Sequence, residues 1–389
     1  METTNEAYRL ELREWLERNR VSGWRDVVQA EDEAGVVDFY RAWTRRLHAS
    51  GHLVPHWPVA FGGRGLGFPG QVVQQQELSR ADAPRPRPMS ISLGHAAATL
   101  IEHGDAEQQK LIASILDGEI FCQGFSEPDA GSDLAALRTR AVRRGDEYVI
   151  SGQKTWSSFA RYASWCLLLA RTDTEVSQHR GISFFLVDMS SPGITVRPIR
   201  QATGSSEFCE IFFDDVVVQA SQRIGAEGDG WRIAQTTLTN ERALQLIEIS
   251  SSLRSSYDAL VRRTGTAGAP DAWVLQRLVD AGVMMEVLSA LSSQSLSRVA
   301  RYDDLGPLSS MLKIYLSLAL QEFTRVASEL DGISGLVDAG EPREVGYLSG
   351  RHFTDHLRSW TWTIAAGTNE IQRNIIAERV LGLPREPRA

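Results

Sequence analysis

The apolar residues of this 389-residue chain change their spacing twice, and that change restricts the fold more than any other feature of the sequence. From Glu6 to about Leu116 they recur at three and four, as in Leu10, Leu12, Trp15 and Leu16, with loops at Pro55–Gly70 and Pro84–Pro88. From Phe121 to about Val218 the spacing shortens into EYVISG, SWCLLLAR, GISFFLVDM, ITVRPI and CEIFFDDVVV, β-rich runs parted by glycine, proline and charge. After the GAEGDGW turn at Gly225–Trp231 the helical period returns in four long stretches, near 231–263, 271–302, 307–331 and 345–381. Helices, then strands, then helices predict an α+β chain without βαβ alternation. The expected domains are an N-terminal α-helical domain over 1–116, a middle antiparallel β domain over 117–225 and a C-terminal four-helix bundle over 226–389.

Length and charge narrow the function. A chain this long suits two or three cores, each burying substantial apolar surface. The formal net charge of -8 argues against nucleic-acid partners and against a polybasic membrane anchor, since both need concentrated positive potential. No run approaches the ~20 apolar residues of a membrane span. The N-terminal METTNEAYRLELREWLERNR mixes acids and bases and lacks the apolar core of a signal peptide. Cys122, Cys166 and Cys209 are odd in number and have no CxxC spacing, so they are expected to be reduced, buried thiols of a cytoplasmic protein.

Several local patterns carry no chemistry on their own. The glycines of Gly62–Gly67 fall out of the GxGxxG frame and follow no strong strand, so a dinucleotide fold is not expected. Ser310 and Lys313 form an SxxK pair without SDN or KTG companions and are expected to be coincidental. His352 and His356 share a helical spacing, but without HExxH or a third ligand no metal is expected. His179 and Arg180 suit a solvated loop better than a phosphate site.

Two segments of the β region are different. Phe125–Asp133, FSEPDAGSD, compresses hydroxyls, a proline corner and a glycine into one loop, and Lys154–Ser158, KTWSS, places an aromatic beside two hydroxyls. In this order they resemble the acyl-CoA dehydrogenase pattern of a TEP-AGSD loop followed by G-x-K-x-W-I-T. The likeness continues through Gly230–Trp231, Glu241–Arg242 and the terminal GTNEIQR, and it covers nearly the whole chain from Trp57 onward.

The resemblance implies an acyl-CoA dehydrogenase-like fold, FAD between the β domain and the bundle, and an acyl-CoA or acyl-carrier thioester as substrate. It also implies electron-transfer flavoprotein or a similar acceptor, and a homodimer or homotetramer, or a heteromer. Carried over by position, Phe125 and Ser126 belong to the flavin-binding loop, Ser126 and Ser158 would hydrogen-bond the flavin ring, and Trp156 would pack along it. Ser132 falls where the family touches ligand or cofactor; Gly367, Thr368 and Glu370 resemble residues that meet the FAD pyrophosphate and adenosine arm. One departure is plain: where the family has an arginine-phenylalanine-glycine segment reaching the FAD of a neighbouring subunit, this chain reads RRTGTAGAP around Arg262.

A second departure concerns the base. Many members carry a catalytic glutamate immediately before the Gly-Thr pair, where this chain has Ala366. On the resemblance, Glu241 stands where isovaleryl-CoA and long-chain members place their base, on the first bundle helix, with Arg242 as its electrostatic partner. A carboxylate over the substrate in a closed apolar site is what α-proton abstraction needs. Ala366 would keep a backbone N–H for the thioester carbonyl. The expected activity is α,β-dehydrogenation of an acyl thioester to the trans-2-enoyl product. Two alternatives stand beside it: a flavin-dependent oxidase or monooxygenase on the same fold, and a base-less structural subunit of a heteromeric dehydrogenase.

Overall fold

Among the described residues, seven α-helices precede the sheet: α1 Glu2–Arg18, α2 Trp24–Ala30, α3 Glu33–Ala49, α4 Gly67–Arg80, α5 Ala97–His103, α6 Ala106–Gln109 and α7 Ile112–Leu116. The structure is a computed structural model and describes all residues except 1, 31, 267–270, 303–305, 307, 337–350 and 386–389. The chain forms two compact units, Met1–Glu241 and Arg242–Ala389. Caps start the helices where the sequence supplies short acceptors. The Asp32 carboxylate accepts from Gly35 N ahead of α3, and Asp105 with Gln108 closes a capping box on α6. Helix α1 is tied to α4 by Glu77, whose buried carboxylate takes Arg13 at 2.9 and 3.0 Å, Arg9 at 3.1 Å and Arg80 at 2.7 Å.

Eight strands follow among the described residues: β1 Phe121–Gly124, β2 Arg140–Arg144, β3 Glu147–Ser158, β4 Trp165–Arg171, β5 Ile182–Asp188, β6 Ile194–Pro198, β7 Phe208–Gln219 and β8 Arg223–Ile224. Their order is β6-β7-β3-β2-β4-β5-β8, with β1 beside β4. The five β-rich runs of the sequence are β3 to β7; β1 and β8 are too short for a period, and β2 reads RAVRR with one buried residue. Pairing is antiparallel except for β1 on β4 and a single β2–β4 contact, both parallel, so the sheet is mixed where the sequence predicts an antiparallel one. The β2–β3 hairpin between β1 and β4 supplies the crossover that a parallel pair requires.

Strand β4 is buried on both faces. Leu167 and Leu169 join the core shared with the N-terminal helices, together with Phe121, Phe125 and Phe184; Cys166, Leu168 and Ala170 join a second core with Tyr148, Ile150 and Phe185. All three cysteines are free and lie in that second core, where burial pushes the Cys122 and Cys209 thiols up.

Helix α8, Gly230–Thr266, begins the helical part, followed by α9 Ala272–Tyr302, α10 Leu308–Leu336, α11 His352–Ser359, α12 Thr361–Ile364 and α13 Asn369–Ile375. Of the fourth predicted stretch, 345–381, residues 345–350 lie outside the described residues; the rest is three short helices and a π-helical turn, Ile376–Val380, rather than one rod. Trp360 and the left-handed Ala366–Gly367 pair interrupt it. In α10, Gly332 leaves helical geometry at φ 57°. Within the second unit Leu253, Leu278, Met285, Leu288, Leu316, Leu320 and Phe323 are buried. Tyr257 O–H donates to Leu278 O at 2.9 Å, and an added Cβ at Gly282 would lie 2.4 Å from that hydroxyl, so a glycine is what lets α8 and α9 approach there.

Candidate active site

In the first unit, β1 runs into the Phe125–Asp133 loop, and two bonds hold that loop on β3. Thr155 N donates to Ser126 O at 2.9 Å, and Lys154 Nζ donates to Phe125 O at 3.0 Å. The same ammonium meets Glu127 Oε1 at 2.8 Å, and the Glu127 carboxylate also accepts from Arg138 N and Thr139 N at 2.7 and 2.8 Å. Lys154 is fully buried and Glu127 nearly so. Burial pushes the lysine down to about 8 against the opposing pull of Glu127. Burial alone would raise Glu127, but the Lys154 charge and the bonds it accepts outweigh it and hold the carboxyl below its usual range.

A β-bulge then aims the aromatic. Lys154 pairs with Ile211 and Ser157 with Cys209, so Thr155 and Trp156 together oppose Glu210. Trp156 sits at φ 60°, a left-handed conformation that costs about 1–2 kcal/mol for a residue with a Cβ. The result is an indole 58% exposed in a sheet whose other large side chains are mostly buried, touching Phe208 edge-on at 6.0 Å. Ser157 Oγ is buried without a hydrogen-bond partner among the described residues, while Ser126 and Ser158 are half-buried and Ser132 is exposed. An outward indole beside half-buried hydroxyls suits a flat heteroaromatic ring with a polar edge, so this part of the chain fits the flavin end of FAD.

In the second unit, Ala365 ends α12 in extended geometry, Ala366 and Gly367 are left-handed at φ 57° and 86°, and Thr368 caps α13 by accepting from Ile371 N at 3.2 Å. Glu370 is exposed in the first turn of α13 and pairs with Arg373 at 3.1 Å. Such a helix start, with a hydroxyl cap at the positive end of the helix dipole, suits a phosphate.

Sequence reasoning missed what holds this turn. Ser310 Oγ donates to Gln372 Oε1 at 2.7 Å, Gln372 Nε2 donates to Ala366 O at 3.0 Å, and Lys313 Nζ donates to Asn369 Oδ1 at 2.9 Å. The SxxK spacing is therefore structural rather than coincidental: it sets two polar groups on one face of α10, both buried. The Lys154–Glu127 pair was missed as well; the one sequence signal for it is the inward place of Lys154 in the alternation of β3.

Glu241 and Arg242 lie on the helical backbone of α8, and their side chains are outside the described residues, as are 267–270 of the RRTGTAGAP segment. His179 packs on Trp231 at 4.5 Å, and the neighbouring Arg180 lines a cleft with Asp173, Glu227 and Asp229, acidic company for a phosphate. His352 is bonded to Asp331 and His356 to Thr324. Among the described residues no cluster of histidine, cysteine or carboxylate is arranged to hold a metal ion, and no helix is long and apolar enough to cross a membrane.

Comparison with known proteins finds matches along nearly the whole chain. Residues 3–119, 122–216 and 228–381 match the N-terminal, middle and C-terminal domain models of acyl-CoA dehydrogenase. The chain is 37% identical to acyl-CoA dehydrogenase IpdE1 of Mycolicibacterium smegmatis and 38% identical to IpdE1 of Mycobacterium tuberculosis, over 98% of each chain. A solved structure described as "Tcur3481-Tcur3483 steroid ACAD" is similar at 28% identity and TM-score 0.85, covering 99% of this chain and 98% of that one. The ChsE4-ChsE5 complex from Mycobacterium tuberculosis is similar at 27% identity and TM-score 0.77, with 98% of each chain covered. With three domain models in order and close relatives along its full length, this chain belongs to the acyl-CoA dehydrogenase family, oxidoreductases that carry out FAD-dependent dehydrogenation of acyl thioesters.

Proposed function

We propose that this chain dehydrogenates a bulky, steroid-derived acyl-CoA, with Glu241 taking the α proton and Arg242 as its electrostatic partner. The observation that carries the base assignment is Ala366: the terminal turn keeps its left-handed shape and its helix cap but has no acid, so the carboxylate must come from another element. The substrate class follows the relative named a steroid ACAD, which matches over nearly the full length of both chains.

FAD fits the residues of both parts of the site and, when bound, supplies the acceptor for the β hydride. The chain's own contributions are separate. Phe125, Ser126, Trp156 and Ser158 would orient the ring, with Ser132 on the same loop, and Gly367, Thr368 and Glu370 would receive the phosphate and adenosine arm. The Ala366 N–H holds the thioester carbonyl, which acidifies the α carbon by stabilising the charge that develops on oxygen. Glu241 then removes the proton.

The chain works, on this reading, paired with a second related dehydrogenase chain in a reducing cytoplasm, passing electrons to an electron-transfer flavoprotein or similar acceptor. Helix α9 supports the pairing: Leu275, Val279, Val283 and Val287 form an exposed stripe opposite the buried Leu278, Met285 and Leu288. Two of the similar solved structures are also named as pairs.

The test is anaerobic titration of the yellow protein, alone and co-expressed with its partner, using steroid side-chain and straight-chain acyl-CoAs. Bleaching of the flavin by the steroid thioester first supports the reading. Bleaching by short straight chains alone overturns the substrate class, and no bleaching by any thioester overturns the activity.

A further inference from the structure

We propose that Gln372, held by Ser310, is a positioning residue that sets the Ala366–Gly367 turn for the substrate thioester; this rests on the reading above that the turn meets that thioester. Ala366 is left-handed at φ 57°, a conformation that an alanine keeps only where its surroundings impose it. The surroundings here are specific. Gln372 Nε2 donates to Ala366 O at 3.0 Å, and its other amide atom, Oε1, accepts from Ser310 Oγ at 2.7 Å, so the amide is used at both ends. Reversing the amide would set its oxygen against the Ala366 carbonyl, which fixes its orientation.

The glutamine also lies against the next residue. A Cβ at Gly367 would fall 2.8 Å from Gln372 Nε2 and so displace that amide, while its φ of 86° favours glycine on its own account. One and two turns further along α10, Lys313 and Ser317 both meet Asn369, at 2.9 Å and 3.0 to 3.2 Å, and so hold the start of α13 from which Gln372 reaches back. Ser310, Lys313, Ser317, Asn369 and Gln372 are all buried. A network of this kind fixes one backbone conformation, because any other leaves buried polar groups unpaired. What it fixes is the peptide that would otherwise carry the family's acid.

The decisive experiment measures whether Gln372 acts through the strain at position 366. Gln372→Leu should lower kcat about tenfold, with a smaller change in KM and FAD still bound. It should also speed hydrogen exchange in peptides spanning Ala366–Thr368, read without substrate. Placed in an Ala366→Gly background, where the left-handed turn needs no support, the same change should lower kcat by less than about twofold and leave exchange little altered. Equal losses in both backgrounds overturn the proposal, since a packing defect in α13 is indifferent to the residue at 366. Should Gln372→Leu fail to fold, Ser310→Ala removes only the relay hydroxyl and is read in the same two backgrounds. Coupling in exchange without coupling in kcat overturns the link to substrate, and a wild type that no acyl-CoA reduces removes the function reading while exchange still decides the turn.

Discussion

Lys154 Nζ stands 2.8 Å from Glu127 Oε1, and the lysine also holds Phe125 O, so one buried ion pair joins the Phe125–Asp133 loop to the strand that carries Trp156. Removing one partner strands the other. Lys154→Met is expected to destabilise the protein by about 3–5 kcal/mol and to release FAD on gel filtration. Lys154→Met with Glu127→Gln should recover part of that stability in urea unfolding. If the double variant is less stable than Lys154→Met alone, the two residues do not act as a pair.

On the proposed reading, Trp156 and Ser158 bear directly on cofactor retention. Replacing both with alanine leaves the Lys154–Glu127 pair intact, so the protein should stay folded while its affinity for added FAD falls by about tenfold or more, as followed by flavin fluorescence. Unchanged affinity would move the flavin to other residues.

Glu77 governs the acid limb of stability. The Arg13 fork first, then Arg80 and Arg9, hold its carboxyl down to about 2 against the opposing effect of burial. A depressed carboxylate stabilises the fold above its unfolded value near 4.5, and that contribution fades as pH falls toward 2. Glu77→Gln should therefore lower the unfolding free energy by about 2 kcal/mol at pH 7 and flatten its decline between those values. His52, pushed down to about 4 mainly by burial, adds a separate loss as pH falls from about 6.5, which the variant should retain. Parallel pH curves for the two proteins would refute the assignment.

Glu241→Gln keeps the shape of the side chain and removes its basicity. Rapid mixing with acyl-CoA should show reduction slowed by at least ~10², with FAD content unchanged. Adding Ala366→Glu to that variant should restore part of the rate, from an acid supplied by the terminal turn. Reduction at the wild-type rate in Glu241→Gln would place the base elsewhere.

Val279 and Val283 stand on the exposed stripe of α9 at 51% and 59% exposure. Changing both to glutamate should dissociate the assembly in light scattering without unfolding the chain, because neither contributes to the buried face. A wild type that remains a monomer near 43 kDa at all concentrations, with or without a co-expressed partner, would remove the pairing.

The architecture was legible because period is local. A spacing of three and four or of two records which face of an element meets the core, and it marked the long helices and five of the eight described strands. The missing acid at Ala366 could be read from the sequence alone, since a motif shows its gaps as clearly as its matches. Strands β1 and β8 were not legible because two to four residues carry no period, and the parallel β1–β4 pairing depends on which strands meet in space. Tertiary structure also decided which polar residues act together. Lys154 and Glu127 are 27 residues apart, and Ser310 and Gln372 are 62 apart. Each looks like an ordinary surface residue in sequence, and burial makes each depend on its partner, because inside a protein a polar group is tolerated only when another satisfies it. The left-handed Trp156 and Ala366 belong to the same class: no local preference selects that conformation, and the bulge in β3 and the amide of Gln372 are what hold it.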